Sequence, residues 1–499
     1  MPKIAVIGAG FSGLSAAAYL SAEGHDVHVF EKNETAGGRA RQLITSEGYV
    51  FDMGPSWYWM PDVFERFFKD FGYEVSDFYD LKLLDPSFDV VFEKSKKIHI
   101  PANYLQLKDL FEQIESGSGE RLDKFMAEAQ LKYQTAMEKL VYMPGNSILE
   151  FADAKMIKEA ARLQIFSNFS KHVRKYFSNP KLIALMEFPV LFLGAMPQET
   201  PALYSLMNYA GLKLGTWYPI NGGFGRVIES IKNICEIQSV EFHFNSAVEK
   251  IIVEENCMKS LSVNGVKMDF DAVIASADYH HVEKDLLPEG YKNYNENYWQ
   301  KKTFAPSSLI FYLGLSKKIK SIEHHTLFFE EDLYQHSVEI YKAPEWPSRP
   351  LFYVCCPSKT DTTVAPEGHE NLFLLMPVAP GLEDSETLRE KYFKIILNRL
   401  ENHIGEKIGE FIDYRKSYCI NDFIADYHAY KGNAYGLANT LGQTAFLKPK
   451  IRNKKIKNLF YTGQLTVPGP GVPPSLISGK IASEELLKYF KNKKYEIHI

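Results

Sequence analysis

Near the start of the chain, Gly8, Gly10 and Gly13 are spaced as GxGxxG, an acid follows at Glu31, and Gly37-Gly38-Arg39-Ala40 comes soon after. Glycines at this spacing serve a pyrophosphate. Gly8 allows a tight turn, Gly10 lets bare backbone approach the phosphates, and Gly13 lets a helix pack closely on a strand, with the anion at the positive helix N-terminus. Phe11 and Ser12 lie inside that turn and belong to the same binding set. Glu31 is placed to accept hydrogen bonds from a ribose and would repel a 2′-phosphate, which disfavours NADP; Lys32 adjoins it. The second glycine pair and Arg39 separate FAD from NAD. A nicotinamide enzyme has no use for them there, whereas an FAD enzyme can bring a guanidinium and bare backbone to the pyrophosphate and the flavin side.

The elements that must position these residues can be read around them. Ile4 to Ile7 is a continuous apolar run that reads as a buried parallel strand, Phe11 to Ala22 has helical spacing, and His25 to Phe30 reads as a second strand ending at Glu31. A lone GxGxxG is a weak signal. Strand, turn, helix, strand and terminal acid in order make a specific one.

Together with these motifs, Phe51-Asp52-Met53-Gly54-Pro55-Ser56 resembles the flavin amine oxidase and carotenoid desaturase superfamily. The far end, Asn458-Leu459-Phe460-Tyr461-Thr462-Gly463, then Val467-Pro468-Gly469-Pro470-Gly471-Val472-Pro473-Pro474 and Ser478-Gly479-Lys480-Ile481-Ala482, is similar to the signature of bacterial-type carotenoid (phytoene) desaturases. The resemblance implies a helix there whose N-terminal amides face the flavin pyrimidine carbonyls. Gln464, where acidic or small residues are common, and Pro470, among the glycines, depart from the pattern. Gly222 to Arg226 and the following Val227 to Cys235 helix resemble the segment that re-enters the cofactor domain, Ser246 to Ile251 the strand whose Val248 backbone meets the adenine, and Ala275 to Asp278 a related strand end. The implied FAD set is Gly8, Gly10, Phe11, Ser12, Gly13, Glu31, Lys32, Gly37, Gly38, Arg39, Gly54, Pro55, Ser56, Val248, Gly463, Gln464, Gly471 and Val472.

The fold class expected is α/β. A discontinuous Rossmann-like FAD-binding domain, residues 1–85, 220–300 and 415–499, holds an inserted α+β substrate domain, residues 86–219 and 301–414, with a helical membrane-facing region. At 499 residues the chain is longer than one core usually grows. Residues 86–105 alternate like strands, Leu107 to Tyr142 reads as helical, Ser307 to Leu315 and Phe352 to Cys355 read as strands, and Glu386 to Ile404 as a helix. The chain is expected to be compact up to about Lys491 and frayed beyond.

A net charge of −5 implies no nucleic-acid partner. Five cysteines without CxxC spacing form no metal pattern with the scattered histidines, so no metal is expected and reduced thiols in a cytoplasm are the reading. The first strand leaves no room for a signal peptide, and no apolar run reaches the ~18 residues of a spanning helix, so cytoplasmic localisation with peripheral membrane association is expected. Glu187 to Lys213 is apolar with Glu199 as the one internal charge, and Lys171-His172-Val173-Arg174-Lys175 lies upstream. That stretch reads either as buried core or, with the basic cluster, as a surface that docks on anionic lipid and admits a lipid-soluble substrate.

The resemblance implies removal of a hydride and a proton from a CH–CH unit of a carotenoid, with oxygen or quinone as terminal acceptor. Phytoene to neurosporene or lycopene is the leading reading. A 3,4-desaturase of γ-carotene or a 1′-hydroxycarotenoid, a flavin amine oxidase, and a non-enzymatic prenyl-lipid binder resembling the Rab GDP-dissociation inhibitors are the alternatives. Glu199, a lone acid in an apolar stretch, is the candidate base or else a surface acid. Trp57, Tyr58 and Trp59 either wall the polyene channel or pack the core.

Overall fold

The structure is a computed structural model that describes residues 1–93, 96–147, 150, 163–164, 167–191 and 194–497. The β-branched run Lys3–Ile7 forms the centre of a five-stranded sheet in the order Leu459–Tyr461, Ala272–Ala275, Lys3–Ile7, Asp26–Phe30, Glu241–His243. Every pair in it is parallel. Its strands come from three separated stretches of chain.

Small residues set how closely the helices approach this sheet. The Phe11–Ala22 helix packs between the sheet and the terminal Val472–Ile497 helix. A Cβ added to Gly13 would lie 2.0 Å from the Gly8 carbonyl oxygen, and one on Gly479 would lie 2.4 Å from the Ser12 carbonyl oxygen. Ser15 Oγ donates to the Leu476 carbonyl at 2.8 Å across the same crossing. The helix expected to fray from about Lys491 continues to Ile497.

A seven-stranded mixed sheet builds the second layer, in the order Ile412–Tyr418, Ser307–Leu315, Glu370–Val378, Phe352–Cys355, His325–Phe328, Phe88–Glu93, Lys96–Ile100. Ser307–Leu315 is buried along its whole length. Its residues alternate between two cores, Leu309, Phe311 and Leu313 beneath the Glu386–Ile404 helix and Ile310 and Tyr312 toward the rest of the molecule.

One expectation is corrected and another is given its detail. The domain boundary at 414/415 falls inside Ile412–Tyr418, which hydrogen-bonds to Ser307–Leu315 and therefore belongs to the seven-stranded sheet. The stretch read as helical over Leu107 to Tyr142 comprises the helices Tyr104–Ile114 and Ser118–Thr135 and a π-helical turn at Ala136–Leu140, with a break at Gly117, whose φ is 75°. Glu112 seals the break by accepting from the Gly117 and Gly119 amides. No helix among the described residues is long and apolar enough to cross a membrane.

Candidate cofactor and substrate site

The glycine turn opens onto a cavity of about 410 Å³ between the two sheets, and every residue of the expected cofactor set except Gly13 lines it. Gly13 instead lies behind the turn, in the helix–strand contact. Gly8 takes φ 100°, which other residues rarely adopt. The second glycine pair packs on the first: the Gly37 amide donates to the Ala9 carbonyl at 2.8 Å, and a Cβ on Gly38 would meet Gly10 Cα at 3.2 Å. Gly54 is required because a Cβ there would lie 2.4 Å from the Arg39 carbonyl oxygen. The result is a floor of bare backbone.

Arg39 lines the cavity beside this floor. Its Nε and Nη2 are buried and make no hydrogen bond, and its guanidinium lies 5.0 Å from the Tyr427 ring centre. Burial draws its pKa below the ordinary arginine value while Asp278 counters that shift. Asp278 caps the following helical turn through Oδ1, leaving Oδ2 buried and unpartnered, and burial raises its carboxyl. A desolvated guanidinium held over exposed backbone amides is complementary to a diphosphate.

Glu31 does more than its position suggests. Its carboxylate accepts from the Ala9 amide at 2.9 Å and from the Asn33 amide and side chain at 2.9 and 2.8 Å. One of these bonds braces the glycine turn and two hold Asn33 just beyond the strand, so that of roughly four acceptor sites one remains for a ribose. Lys32 is tethered away from that position, donating to the Ala425 carbonyl at 2.6 Å. Val248 follows Ser246, whose amide donates to the Glu31 carbonyl at 2.8 Å.

The C-terminal block closes the cavity from the other side. Gly463 at φ 107° and Gly471 at φ 115° turn the chain from the Leu459–Tyr461 strand into the terminal helix, whose first turn lines the cavity. Pro473 and Pro474 carry no amide hydrogen, so that helix end offers fewer free donors than an ordinary N-terminus. Gln464 lines the cavity within 3.4 Å of Asn433 Oδ1.

Away from the glycines the wall becomes aromatic. Trp57 and Trp59 line it, whereas Tyr58 packs in the core with its hydroxyl 2.8 Å from that of Tyr79. Sequence spacing did not indicate the residues behind Trp57. His325 stacks on Trp57 with ring centres 4.2 Å apart, and its Nδ1 lies 2.6 Å from the Tyr353 hydroxyl. His324, His325 and Cys355 bring two imidazoles and a thiol within 4.8 Å of one another. Burial depresses both histidines, His324 to about 3, and pushes the Cys355 thiol up to about 12. The trio is therefore uncharged. A smaller apolar chamber of about 60 Å³ adjoins the cavity and shares Tyr353, Leu375 and Tyr435 with it.

Other expected site residues lie elsewhere. Glu199 is partly exposed, ion-paired with Lys342 and outside the cavity wall, so it does not face a substrate there. In the basic cluster, His172 is buried against Lys132 and Arg174 pairs with Glu187, leaving Lys171 and Lys175 as its free-facing cations. The apolar 187–213 stretch is largely buried, as the helices Pro180–Leu191 and Leu206–Leu212, with residues 192–193 outside the described part.

Residues 11–487 match the family model of flavin containing amine oxidoreductases. The chain is 40% identical, over 97% of its length and 98% of the relative's, to a carotenoid 3,4-desaturase of Haloarcula japonica. It is 30% identical, over 97% of its length and 99% of the relative's, to a 4,4′-diapophytoene desaturase (4,4′-diaponeurosporene-forming) of Staphylococcus aureus. Its fold is similar to an oxidoreductase from Methanosarcina mazei, with TM-score 0.63 and 18% identity over 97% of this chain and 100% of that one. A putrescine oxidase variant is similar at TM-score 0.62 and 12% identity over 98% and 99%. With the glycine floor, the unpartnered Arg39 and these matches along nearly its whole length, the chain belongs to the flavin-containing amine oxidoreductase family and, within it, to the carotenoid desaturases.

Proposed function

We propose that the chain binds FAD and desaturates a late carotenoid at its 3,4 bond. The observation that carries the reading is one continuous cavity with two chemistries, a glycine floor under an unpartnered guanidinium at one end and an aromatic, apolar wall at the other. Gly8, Gly10, Gly37, Gly38 and Arg39 hold the diphosphate, Glu31 and Val248 the adenosine, and Gly54 to Ser56 with Gly463 to Val472 the flavin end. The higher identity to the 3,4-desaturase than to the diapophytoene enzyme favours the late substrate over phytoene.

When bound, the cofactor supplies a two-electron oxidant. The protein's own part is to orient the polyene along Trp57 and Trp59, exclude water and receive a proton. A hydrocarbon offers no polar handle, so selectivity rests on the shape of the apolar end. Reoxidation by oxygen or a quinone completes the cycle, and Lys171 and Lys175 assist docking on anionic lipid, from which the substrate is drawn.

The test is to load the protein with FAD and incubate it in liposomes with phytoene, lycopene, γ-carotene or a 1′-hydroxycarotenoid, reading product chromophores. A red-shifted product from the late carotenoids, with phytoene untouched, is expected. Conversion of phytoene alone moves the enzyme to the first desaturation. Oxidation of a soluble polyamine without lipid replaces the reading with an amine oxidase, and carotenoid binding without turnover replaces it with a binding protein.

A further inference from the structure

Two short segments, Asp26-Val27-His28 and Glu241-Phe242-His243, each carry an acid two residues before a histidine. The two histidines are 215 residues apart in the chain, so sequence spacing gives no metal pattern for them. The parallel pairing of the Asp26–Phe30 strand with the edge strand Glu241–His243 sets His28 opposite Glu241 and Phe30 opposite His243. With a side-chain period of two, Asp26, His28, Glu241 and His243 therefore share one face of the sheet. None of the four lines the cofactor cavity.

Their donor atoms converge. His28 Nδ1 lies 3.0 Å from His243 Nε2 and 3.4 Å from Glu241 Oε2, and His243 Nε2 lies 3.3 Å from Glu241 Oε1. A tetrahedral Zn²⁺ with bonds of about 2.0–2.2 Å keeps its ligand atoms about 3.3–3.6 Å apart, so these three contacts have nearly the edge lengths of one face of its coordination shell. Asp26 fixes the tautomer: its Oδ1 lies 3.2 Å from His28 Nε2, which donates to the carboxylate and leaves the Nδ1 lone pair turned toward His243 and Glu241. Phe30 stacks on the His243 ring at 4.6 Å and Phe270 meets the His28 ring edge-on at 5.6 Å, which holds both imidazoles in place. His28 is 6% exposed, whereas Glu241 is exposed and His243 partly so, which gives an ion an entry path and leaves a fourth position for water.

We propose that His28, His243 and Glu241 form a Zn²⁺ site at the edge of the five-stranded sheet, with Asp26 as the carboxylate behind His28. Before the ion binds, His243 Nε2 donates its proton to His28 Nδ1. On binding, that proton moves to His243 Nδ1, so both nitrogens turn lone pairs to the ion and both rings stay neutral. The charges of Asp26 and Glu241 balance the divalent ion, and the neighbouring cation Lys3 is held over the Phe270 ring, 5.0 Å from its centre. The site ties the two strands together just before Glu31, whose amide donates to the His243 carbonyl at 2.9 Å. The ion therefore braces the strand end from which Glu31 reaches the glycine turn.

The inference does not depend on the carotenoid reading, and its test needs no turnover. Chelator-treated, FAD-loaded protein is titrated with Zn²⁺ in a calorimeter and with Co²⁺ as a spectroscopic probe. One Zn²⁺ per chain with Kd below about 1 μM, the visible bands of tetrahedral Co²⁺, and a melting temperature that rises with Zn²⁺ are expected. Glu241→Gln and His243→Gln should each weaken Zn²⁺ binding more than about 100-fold and abolish the rise in melting temperature, since each removes a ligand. Asp26→Asn should weaken binding about 10-fold, the effect of losing a carboxylate behind a ligand, while the tetrahedral Co²⁺ bands persist. The proposal is overturned if Zn²⁺ affinity in Glu241→Gln stays within about threefold of wild type, which places the ion elsewhere. It is overturned equally if wild type binds only above about 100 μM with an octahedral Co²⁺ spectrum, which marks an adventitious ion only. If His243→Gln does not fold, Glu241→Gln decides, because Glu241 is exposed and its replacement disturbs no packing.

Discussion

At the scale of single residues, Arg39 and Glu31 separate binding from folding. Arg39 is a partly buried cation with two buried, unpartnered nitrogens, so removing it relieves a partly desolvated charge in the flavin-free protein. Arg39→Ala should leave the melting temperature of flavin-free protein unchanged or higher, while FAD affinity falls by about 1.5–3 kcal/mol, the worth of a charge-assisted contact. Glu31→Ala should do the reverse in part. It strands the Ala9 and Asn33 donors, so flavin-free stability drops as well as affinity. Calorimetric melting with and without FAD distinguishes the two, and equal melting curves for both variants would refute the roles given to them. Arg39 and the glycines were legible in the sequence because their constraints are local, a turn at positive φ or a close backbone approach. His325 and Tyr353 were not. Their contact spans 28 residues and depends on strand register, and Trp57 reaches His325 from yet another segment.

At the scale of elements, continuous apolar runs and amphipathic periods read correctly. Ser307–Leu315, Phe352–Cys355 and Glu386–Ile404 fall where the pattern places them. The strand Ile412–Tyr418 did not read, because an edge strand carrying Asp413, Arg415 and Lys416 on its exposed positions has the composition of a loop. Crossing distances between helices are likewise invisible until tertiary contacts are known, although the glycine that permits one can be seen. Gly479→Ala tests that crossing. Its Cβ would press on the Ser12 carbonyl at 2.4 Å and on Ser15 Cβ at 2.6 Å, both in the helix that opens at the glycine turn. Overpacking of this kind costs about 1–3 kcal/mol, and the displaced turn should also weaken FAD retention. Gly290→Ala, where no atom lies within 4 Å of the new Cβ and φ is ordinary, should be neutral in both measurements. Identical behaviour of the two variants would show that the crossing tolerates a methyl group.

At the scale of the whole molecule, buried titratable groups set how stability responds to acid. Burial lowers His172 and His324 to about 3, His336 and His428 to about 4, and His325 well below its ordinary value, from 6.5. Between those values the unfolded chain holds protons that the folded chain refuses, so this stabilisation is complete above pH 6.5 and is lost as pH falls below it. Two buried acids act in the opposite sense. Burial raises Glu283 from 4.5 to about 7 and Asp52 from 3.8 to about 6. The folded state therefore gains stability as pH falls from about 7 toward 4, where these gains end. Each group contributes about 1.4 kcal/mol per pH unit within its window, so from pH 6 to 4.5 the two gains offset only part of the histidine losses. Below pH 4.5 the offset fades. The carboxylates of Glu115, Glu370 and Glu401, held below their usual range by hydrogen bonds and, for Glu370 and Glu401, by lysines, then begin to lose their stabilisation as well. The melting temperature, followed by circular dichroism, should accordingly decline from about pH 6.5, slowed by the two acids, and fall steeply below about 4.5. Glu283→Gln, which removes one of the two compensating acids, should steepen the decline between pH 6.5 and 4.5, and an unchanged slope in that variant would mean that the compensation assigned to Glu283 is absent.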